Sequence, residues 1–405
     1  METTAQNVIG ELMNILILED DHAKMHAVKS EIKQFNDKII IDDCENFQDF
    51  SQKAQRKKYD LIIVDLLVPL FKDSIDTANV SERIVDIFRD HECANTLTPV
   101  LALTKFDSAA EENFKALNLQ DITVITFIEN DGEWKRILRA KLEICTPFPT
   151  YEFLIICALV KESKGFHDAG YIVGDSITIK GLQCREIIIG DKLGAIITAP
   201  RMGLVNCAIV TSRAIDLFKP KLVCMSGICA GIESKANIYD IVISQVCQQH
   251  DFGKWSSKGY EPEIYNIQIP PKLETKILEL LDTETLINAI KNGIILSRSE
   301  FPEGTEFFDP RILLAPTSSG SAVIADDKMV EGIKSQHRKM TAFEMEAFAV
   351  YEAARLATNP PLYFSAKAVV DDGGKNKGDN FHRVACILSA RAVYEIIERG
   401  AVFNL

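Results

Sequence analysis

The apolar positions of this chain come mostly in short unbroken runs. Asn14–Leu18, Lys38–Ile41, Asp60–Val64, Pro99–Leu103 and Ile122–Phe127 are rich in Ile, Leu and Val and lack strict polar alternation. Such runs predict strands of a parallel sheet buried on both faces. Between them the apolar spacing changes to a helical period, as at Val80, Ile84, Val85 and Phe88. Strands and helices in alternation predict a doubly wound, flavodoxin-like α/β domain with five parallel strands over residues 1–145.

Residues 146–150 interrupt the pattern, and Pro147 and Pro149 at alternate positions predict an extended linker. A second domain is expected over residues 151–405. Its predicted strands are Phe153–Ala158, Ser176–Ile179, Glu186–Ile189, Ala195–Thr198, Leu222–Met225, Ile241–Ser244, Ile312–Ala315 and Tyr363–Val370. Helical spacing covers Lys272–Ile290 and Phe348–Leu356, so this is another α/β domain. The polar, aromatic segment Gly253–Tyr265 reads as a surface loop.

Composition narrows the function classes. With 47% hydrophobic and 25% charged residues, a sizeable core can form. A net charge of −13 argues against nucleic acid as the main partner. The polar, acidic N-terminus lacks the basic and apolar regions of a signal peptide. No apolar run approaches the roughly 20 residues that span a bilayer, so no membrane partner is expected. The 10 cysteines form no CxxC pair, which predicts reduced, buried thiols in a cytoplasmic protein.

The acids of the first domain fall at predicted strand ends. Glu19-Asp20-Asp21 follows the first strand, Asp65 the third and Thr104-Lys105 the fourth. In a doubly wound sheet those ends meet at one edge. Glu19, Asp20 and Asp65 together suit a hard cation such as Mg2+, which would offset the charge of a phosphoryl group on Asp65. The competing reading is that Asp20 and Asp21 simply cap the following helix. Over its whole length this half resembles the receiver domain of bacterial response regulators. The resemblance implies Asp65 as phospho-acceptor, Glu19 and Asp20 as magnesium-binding acids, and Thr104 as the switch hydroxyl with Lys105 beside it. It departs from the family at the fifth strand, Ile122–Phe127, which ends without a lysine. A receiver-like unit used only for docking is the alternative.

Four patches of the second domain carry chemistry: Ala158–Glu162, Met225–Gly231, Phe343–Ala347 and Lys367–Asp371. Breaking an N-glycosidic bond builds positive charge on the ribose and negative charge on the leaving base. Asp371 ends an apolar strand, where burial raises a carboxyl pKa and favours a proton to give to a purine nitrogen. An ionised Glu346 accepts hydrogen bonds from a ribose diol. Glu162 is suited to orient and deprotonate a water, and Gly227 and Gly231 admit close backbone approach to a flat base or sugar. Each patch also has an ordinary reading: a turn at the glycines, a solvated acid at position 162, and a structural role for Glu344.

From about residue 152 to 400 the chain resembles the superfamily of purine nucleoside phosphorylases and methylthioadenosine/S-adenosylhomocysteine nucleosidases. The matching pieces are Ala158–Glu162, Arg201–Val205, Gly227–Gly231, Asp240–Val242, Ser319–Ala322, Glu344–Ala347 and Ala368–Asp371, in the family's order. The resemblance implies a nucleoside-phosphorylase-type α/β domain with a mixed central sheet. It implies Glu162 for the nucleophilic water, Met345 and Glu346 for the ribose and Asp371 as the acid at the purine, with no cofactor for cleavage. Departures are Lys367 where Arg is frequent, Ser321 in place of Asp, and Val323 where an aromatic residue stacks on the base.

An anion at Glu162 repels phosphate and favours water as nucleophile. Arg201, Lys375, His382 and Arg383 are the candidate cations for 5′-phosphates, a solvated surface being the alternative. The domain pairing resembles antiphage effectors of the Detocs type, in which a two-component relay switches on an ATP nucleosidase. That resemblance implies hydrolysis of ATP to adenine and ribose 5′-triphosphate under control of a sensor kinase or relay partner, by a homo-oligomer. A purine nucleoside phosphorylase, a methylthioadenosine-type nucleosidase and a non-catalytic nucleotide sensor are the alternatives.

Overall fold

The computed structural model describes residues 13–74, 76–105, 114–129, 131–146, 149–257, 259–305, 307–374, 379–400 and 403. The chain divides into two compact units at Pro149/Thr150. Of the linker segment, positions 147 and 148 lie outside the described residues.

The first unit is a five-stranded parallel sheet in the order Ile40–Cys44, Asn14–Leu18, Leu61–Val64, Val100–Thr104, Thr123–Thr126. Its three inner strands, Asn14–Leu18, Leu61–Val64 and Val100–Thr104, are buried almost throughout, as expected of strands covered on both faces. Apolar side chains collect on the two faces: Phe50, Ile62, Val64 and Phe88 on one, Ile17, Met25, Trp134 and Leu138 on the other. The second strand begins later than its apolar run predicts, at Ile40 instead of Lys38, and continues into Asp42 and Asp43. It is an edge strand, where one row of side chains faces water and carboxylates are tolerated. A short hairpin, Leu67–Pro69 with Thr77–Asn79, follows the third strand.

The second unit is built on a 10-stranded mixed sheet. Its centre is the long strand Leu222–Gly231, parallel to Phe153–Cys157 on one side and to Leu362–Asp371 on the other. Leu362–Asp371 also runs antiparallel to Ile241–Gln249. Helices Val160–Asp168, Leu204–Phe218, Ala347–Arg355 and His382–Arg399 pack their apolar faces on the sheet, giving one core with Phe153, Phe166, Phe218 and Phe364 inside it.

Three elements differ from the sequence reading. Gly227–Gly231 is no turn after the strand but its continuation, with a register shift between Cys229 and Ala230. The helical span Lys272–Ile290 is two helices, Pro271–Leu281 and Glu284–Lys291. The break falls at Asp282-Thr283, residue types that favour helix ends, and Thr283 is extended at φ −119°, ψ 140°. Within the Gly253–Tyr265 loop, Gly253–Ser256 pairs with Gly259–Pro262 as a hairpin, the rings of Trp255 and Tyr260 lying 5.3 Å apart. All ten cysteines are free thiols, nine of them buried. Among the described residues no helix is long and apolar enough to cross a membrane.

Candidate functional site

A cavity of about 330 Å³ opens at one edge of the larger sheet, lined among others by Glu162, Met345, Glu346, Asp371, Val323 and His382. Glu162 stands in the first turn of the helix Val160–Asp168 and is only 2% exposed, so it is not a solvated surface acid. Its Oε2 accepts the backbone N–H groups of Ala158 and Leu159 at 2.8 and 2.9 Å, and Oε1 accepts that of Ile228 at 3.1 Å. Burial, with Glu346 nearby, pushes its pKa up to about 7, against the pull of Lys367 and of the Leu159 and Ile228 amides. A carboxyl held near neutrality is suited to take a proton from water.

Gly227 lies directly under this carboxylate, where a Cβ would collide with Oε1. Its position is fixed by Ser389 Oγ, which accepts the Gly227 N–H at 2.8 Å and donates to the Ala366 carbonyl at 2.8 Å, tying two neighbouring strands together. Gly227 therefore acts beneath Glu162 instead of lining the cavity itself.

Glu346 is the N-cap residue of Ala347–Arg355, two residues past the end of the short strand Ala342–Glu344, so it and Glu344 are not on one strand. Its Oε1 accepts the N–H of Gly203 at 2.9 Å, and its Oε2 meets Lys367 Nζ at 2.9 Å. Gly203 adopts φ 105°, a left-handed conformation that glycine takes without strain. Lys367 also meets Glu344 Oε2 at 2.5 Å. Glu344 accepts in addition from Ser319 Oγ and from the backbone N–H groups of Glu346 and Ala347, so its oxygens are taken up structurally. Burial alone would drive the Lys367 ammonium toward neutrality, but Glu344, Glu346 and Glu162 hold its pKa well above the ordinary value. Burial likewise works against the Glu344 carboxylate, but Lys367, Ser319 and the Ala347 amide together leave its pKa lowered. The result is a fixed ion-pair array with lone pairs of Glu346 left for two hydroxyls.

Asp371 ends Leu362–Asp371 and is half-buried, its Oδ1 accepting the Gly373 N–H at 2.7 Å. The full burial expected of this acid belongs to Glu162 instead, because Asp371 sits where the strand leaves the core for the cavity mouth. Cys229, Ala230, Ile324, Phe343 and Val370 give the cavity lining its apolar part. Val323 lines the cavity but is 62% exposed. The aromatic ring in the lining comes from Phe343, on the strand Ala342–Glu344.

The four candidate phosphate cations separate. His382 lines the cavity. Arg383 is held by Glu300 through two bonds of 2.6 and 2.8 Å and does not line it. Arg201 is exposed outside the lining, which Met202 joins instead, and Lys375 lies outside the described residues. Sequence reasoning missed Lys161, which lines the cavity with its Nζ 2.5 Å from His382 Nδ1. Asp379 Oδ1 stands 2.8 Å from the same nitrogen. Burial first and Lys161 second hold the His382 pKa below the ordinary histidine value.

In the smaller unit the strand ends do bring Glu19 and Asp65 together, with Thr104 buried at the neighbouring end. Between the two carboxylates lies a residue the sequence reading passed over: Lys24, from the helix His22–Phe35, with Nζ 2.7 Å from Glu19 Oε2 and 2.5 Å from Asp65 Oδ2. Burial pushes the Glu19 pKa up to about 7, partly offset by Lys24, and burial raises that of the half-buried Asp20. Asp21 is the helix N-cap, accepting the N–H groups of Ala23 and Lys24, and it also pairs with Lys105. Lys105 is thus committed to the cap and not to Asp65. The Mg2+ expected here does not fit these residues as they stand. The described residues hold no group of three or more His, Cys, Asp or Glu side chains arranged to ligate a metal, and an ammonium already stands between the two buried acids.

The chain is similar to several known proteins. An uncharacterized protein of Sinorhizobium fredii, y4jS, is 26% identical over 96% of this chain and 99% of its own length. The ATP nucleosidase Cap17 of Escherichia coli is 26% identical over 52% of this chain, which spans 42% of that protein's length. A 5′-methylthioadenosine/S-adenosylhomocysteine nucleosidase of Bacillus velezensis is 26% identical over 49% of this chain and 78% of its own. Among solved structures, the corresponding nucleosidase of Neisseria meningitidis aligns with a TM-score of 0.48 and 18% identity, over 61% of this chain and 98% of its own. Residues 153–399, well over half the chain, match the model of the phosphorylase superfamily. The chain belongs to the phosphorylase superfamily, alongside nucleosidases.

Proposed function

We propose that this chain hydrolyses the N-glycosidic bond of adenine nucleotides, ATP foremost, releasing adenine and ribose 5′-triphosphate. The observation that carries the reading is the buried Glu162 carboxylate, held by three backbone N–H groups in the same cavity as Glu346 and Asp371. Glu162 takes a proton from water as its oxygen bonds to the anomeric carbon. Glu346, steadied by Lys367 and Gly203, accepts hydrogen bonds from the ribose hydroxyls. The bond to the base breaks, its electron pair goes to the purine, and Asp371 delivers a proton to a ring nitrogen. Phe343, Ile324 and Val370 form the apolar side of the base site.

Water is favoured over phosphate because a carboxylate with raised pKa is a base for water and repels an anionic nucleophile. A substrate with 5′-phosphates is supported by Lys161 and His382 at the cavity, and by the name of the Escherichia coli relative. We assign the receiver-like unit a regulatory role with Asp65 as its phosphorylation site, answering to a kinase or relay partner. In this reading the chain acts as a homo-oligomeric antiphage effector that depletes ATP.

The test is incubation of the full chain with a panel of purine nucleosides and nucleotides, with and without acetyl phosphate and with and without inorganic phosphate. Free adenine from ATP without inorganic phosphate is the expected result. Base release that strictly requires phosphate makes the chain a phosphorylase, and intact nucleotides throughout make it a binding module.

A further inference from the structure

The acid pocket of the smaller unit already holds a cation of its own. Glu19 and Asp65 are 4% and 7% exposed, and Lys24 between them is 1% exposed. Each carboxylate gives one oxygen to the Lys24 ammonium and the other to a backbone amide. Glu19 Oε1 accepts the N–H of Asp21 at 3.1 Å, and Asp65 Oδ1 accepts that of Leu67 at 3.1 Å. The ammonium also lies 5.7 Å from the centroid of the Phe127 ring, so its remaining side is covered by an aromatic face that attracts cations.

We infer that Lys24 is the resident cation of this pocket and stands in place of a divalent metal ion. A hard dication needs several oxygen ligands converging on one point. Here the oxygens that face each other converge on Nζ, and those that do not are engaged by amides. For a dication to enter, the ammonium must leave, and the Lys24 side chain is itself fully buried among the described residues. The only other lysine at these strand ends among the described residues, Lys105, is paired with Asp21 and does not compete for Asp65. The point between the two carboxylates is therefore held by an ammonium whatever the concentration of Mg2+. This inference is independent of the nucleosidase reading but bears on the phosphorylation of Asp65, whose phosphoryl charge Lys24, and no Mg2+, would then offset.

The experiment is a titration of the full-length chain with Mn2+ alone, free ion being followed by electron paramagnetic resonance, on the wild type and Asp65→Asn. The expected result is no saturable site at millimolar Mn2+ that Asp65→Asn removes. Such a site in the wild type, lost in Asp65→Asn, overturns the inference. Lys24→Met is expected to gain a Mn2+ site that a second change, Asp65→Asn, abolishes; a folded Lys24→Met chain that gains none also overturns it. Should Lys24→Met not fold, acylation of Lys24 in the wild type, read by peptide mass spectrometry, decides the same question. Labelling that stays low with and without Mg2+ supports the resident ammonium, whereas labelling that rises with Mg2+ shows it displaced.

Discussion

Gly227 and Glu162 are in such close contact that the glycine has no room for a Cβ: the position it would take is already filled by Glu162 Oε1. The backbone there is also pinned by Ser389, so it cannot give way easily. Gly227→Ala is therefore expected to push the carboxylate off its three amides while leaving the sheet intact. A displacement of about 1 Å costs on the order of 100-fold in turnover. The check is kcat for adenine release beside a thermal melt. A fall in kcat without a large drop in Tm is the expected pattern, and unchanged kcat would remove Glu162 from the reaction.

The pH dependence follows from the same carboxyl. Burial places the Glu162 pKa at about 7. The base acts in its ionised form, so activity is present above that pH and falls as pH drops through it, tenfold per unit once protonation is complete. Glu162→Gln should lower kcat by about 100- to 10,000-fold and erase this acid limb in whatever activity remains. A kcat/KM profile from pH 5 to 9, as a chosen range, tests both; an acid limb that persists in Glu162→Gln belongs to another group.

The two units were legible to different depths. The apolar runs exposed the parallel sheet of the smaller unit, because strands buried on both faces carry few polar residues. The carboxylates of Glu344, Glu346 and Asp371 stood out because acids inside apolar segments are costly unless used or paired. Their cationic partners did not stand out. Lys24 and Asp65 are 41 positions apart, and only the fold brings them together. A lysine in the first turn of a helix reads as solvated, which hid Lys24 and Lys161 alike. Arg383 misled in the opposite way: beside Asp371 in sequence it counted as a phosphate ligand, but Glu300, 83 positions earlier, holds it. An aromatic residue for the base is expected near Ala322, a neighbour in sequence, whereas Phe343 reaches the cavity from Ala342–Glu344, the strand paired with Ile312–Ser319.

Lys367 is the keystone of the ion-pair array, with Glu344 and Glu346 both within 2.9 Å of its ammonium. Removing it leaves two carboxylates buried without a counter-charge. Lys367→Met is expected to destabilise the larger unit by about 3–5 kcal/mol, read from urea unfolding. The double change with Glu344→Gln should recover part of that loss, since one of the two stranded charges is then gone. Equal loss in the single and double variants would mean that the array contributes by packing alone.

Lys161 offers the sharpest test of the substrate's 5′ end. It lines the cavity beside His382, and Glu162 is the next residue in the chain, so the base and the cation are delivered by one helix turn. If the 5′-phosphates lie against this pair, Lys161→Ala removes a charge-assisted bond of about 1.5–3 kcal/mol, roughly 10- to 100-fold in KM. The loss should fall on ATP, while adenosine keeps its KM because it carries no group for Lys161 to hold. Lys161→Arg retains the charge and is expected to restore most of the affinity for ATP. Steady-state kinetics on both substrates with both variants reads the difference directly. A KM that rises equally for ATP and adenosine would instead make Lys161 a support for the helix turn that carries Glu162.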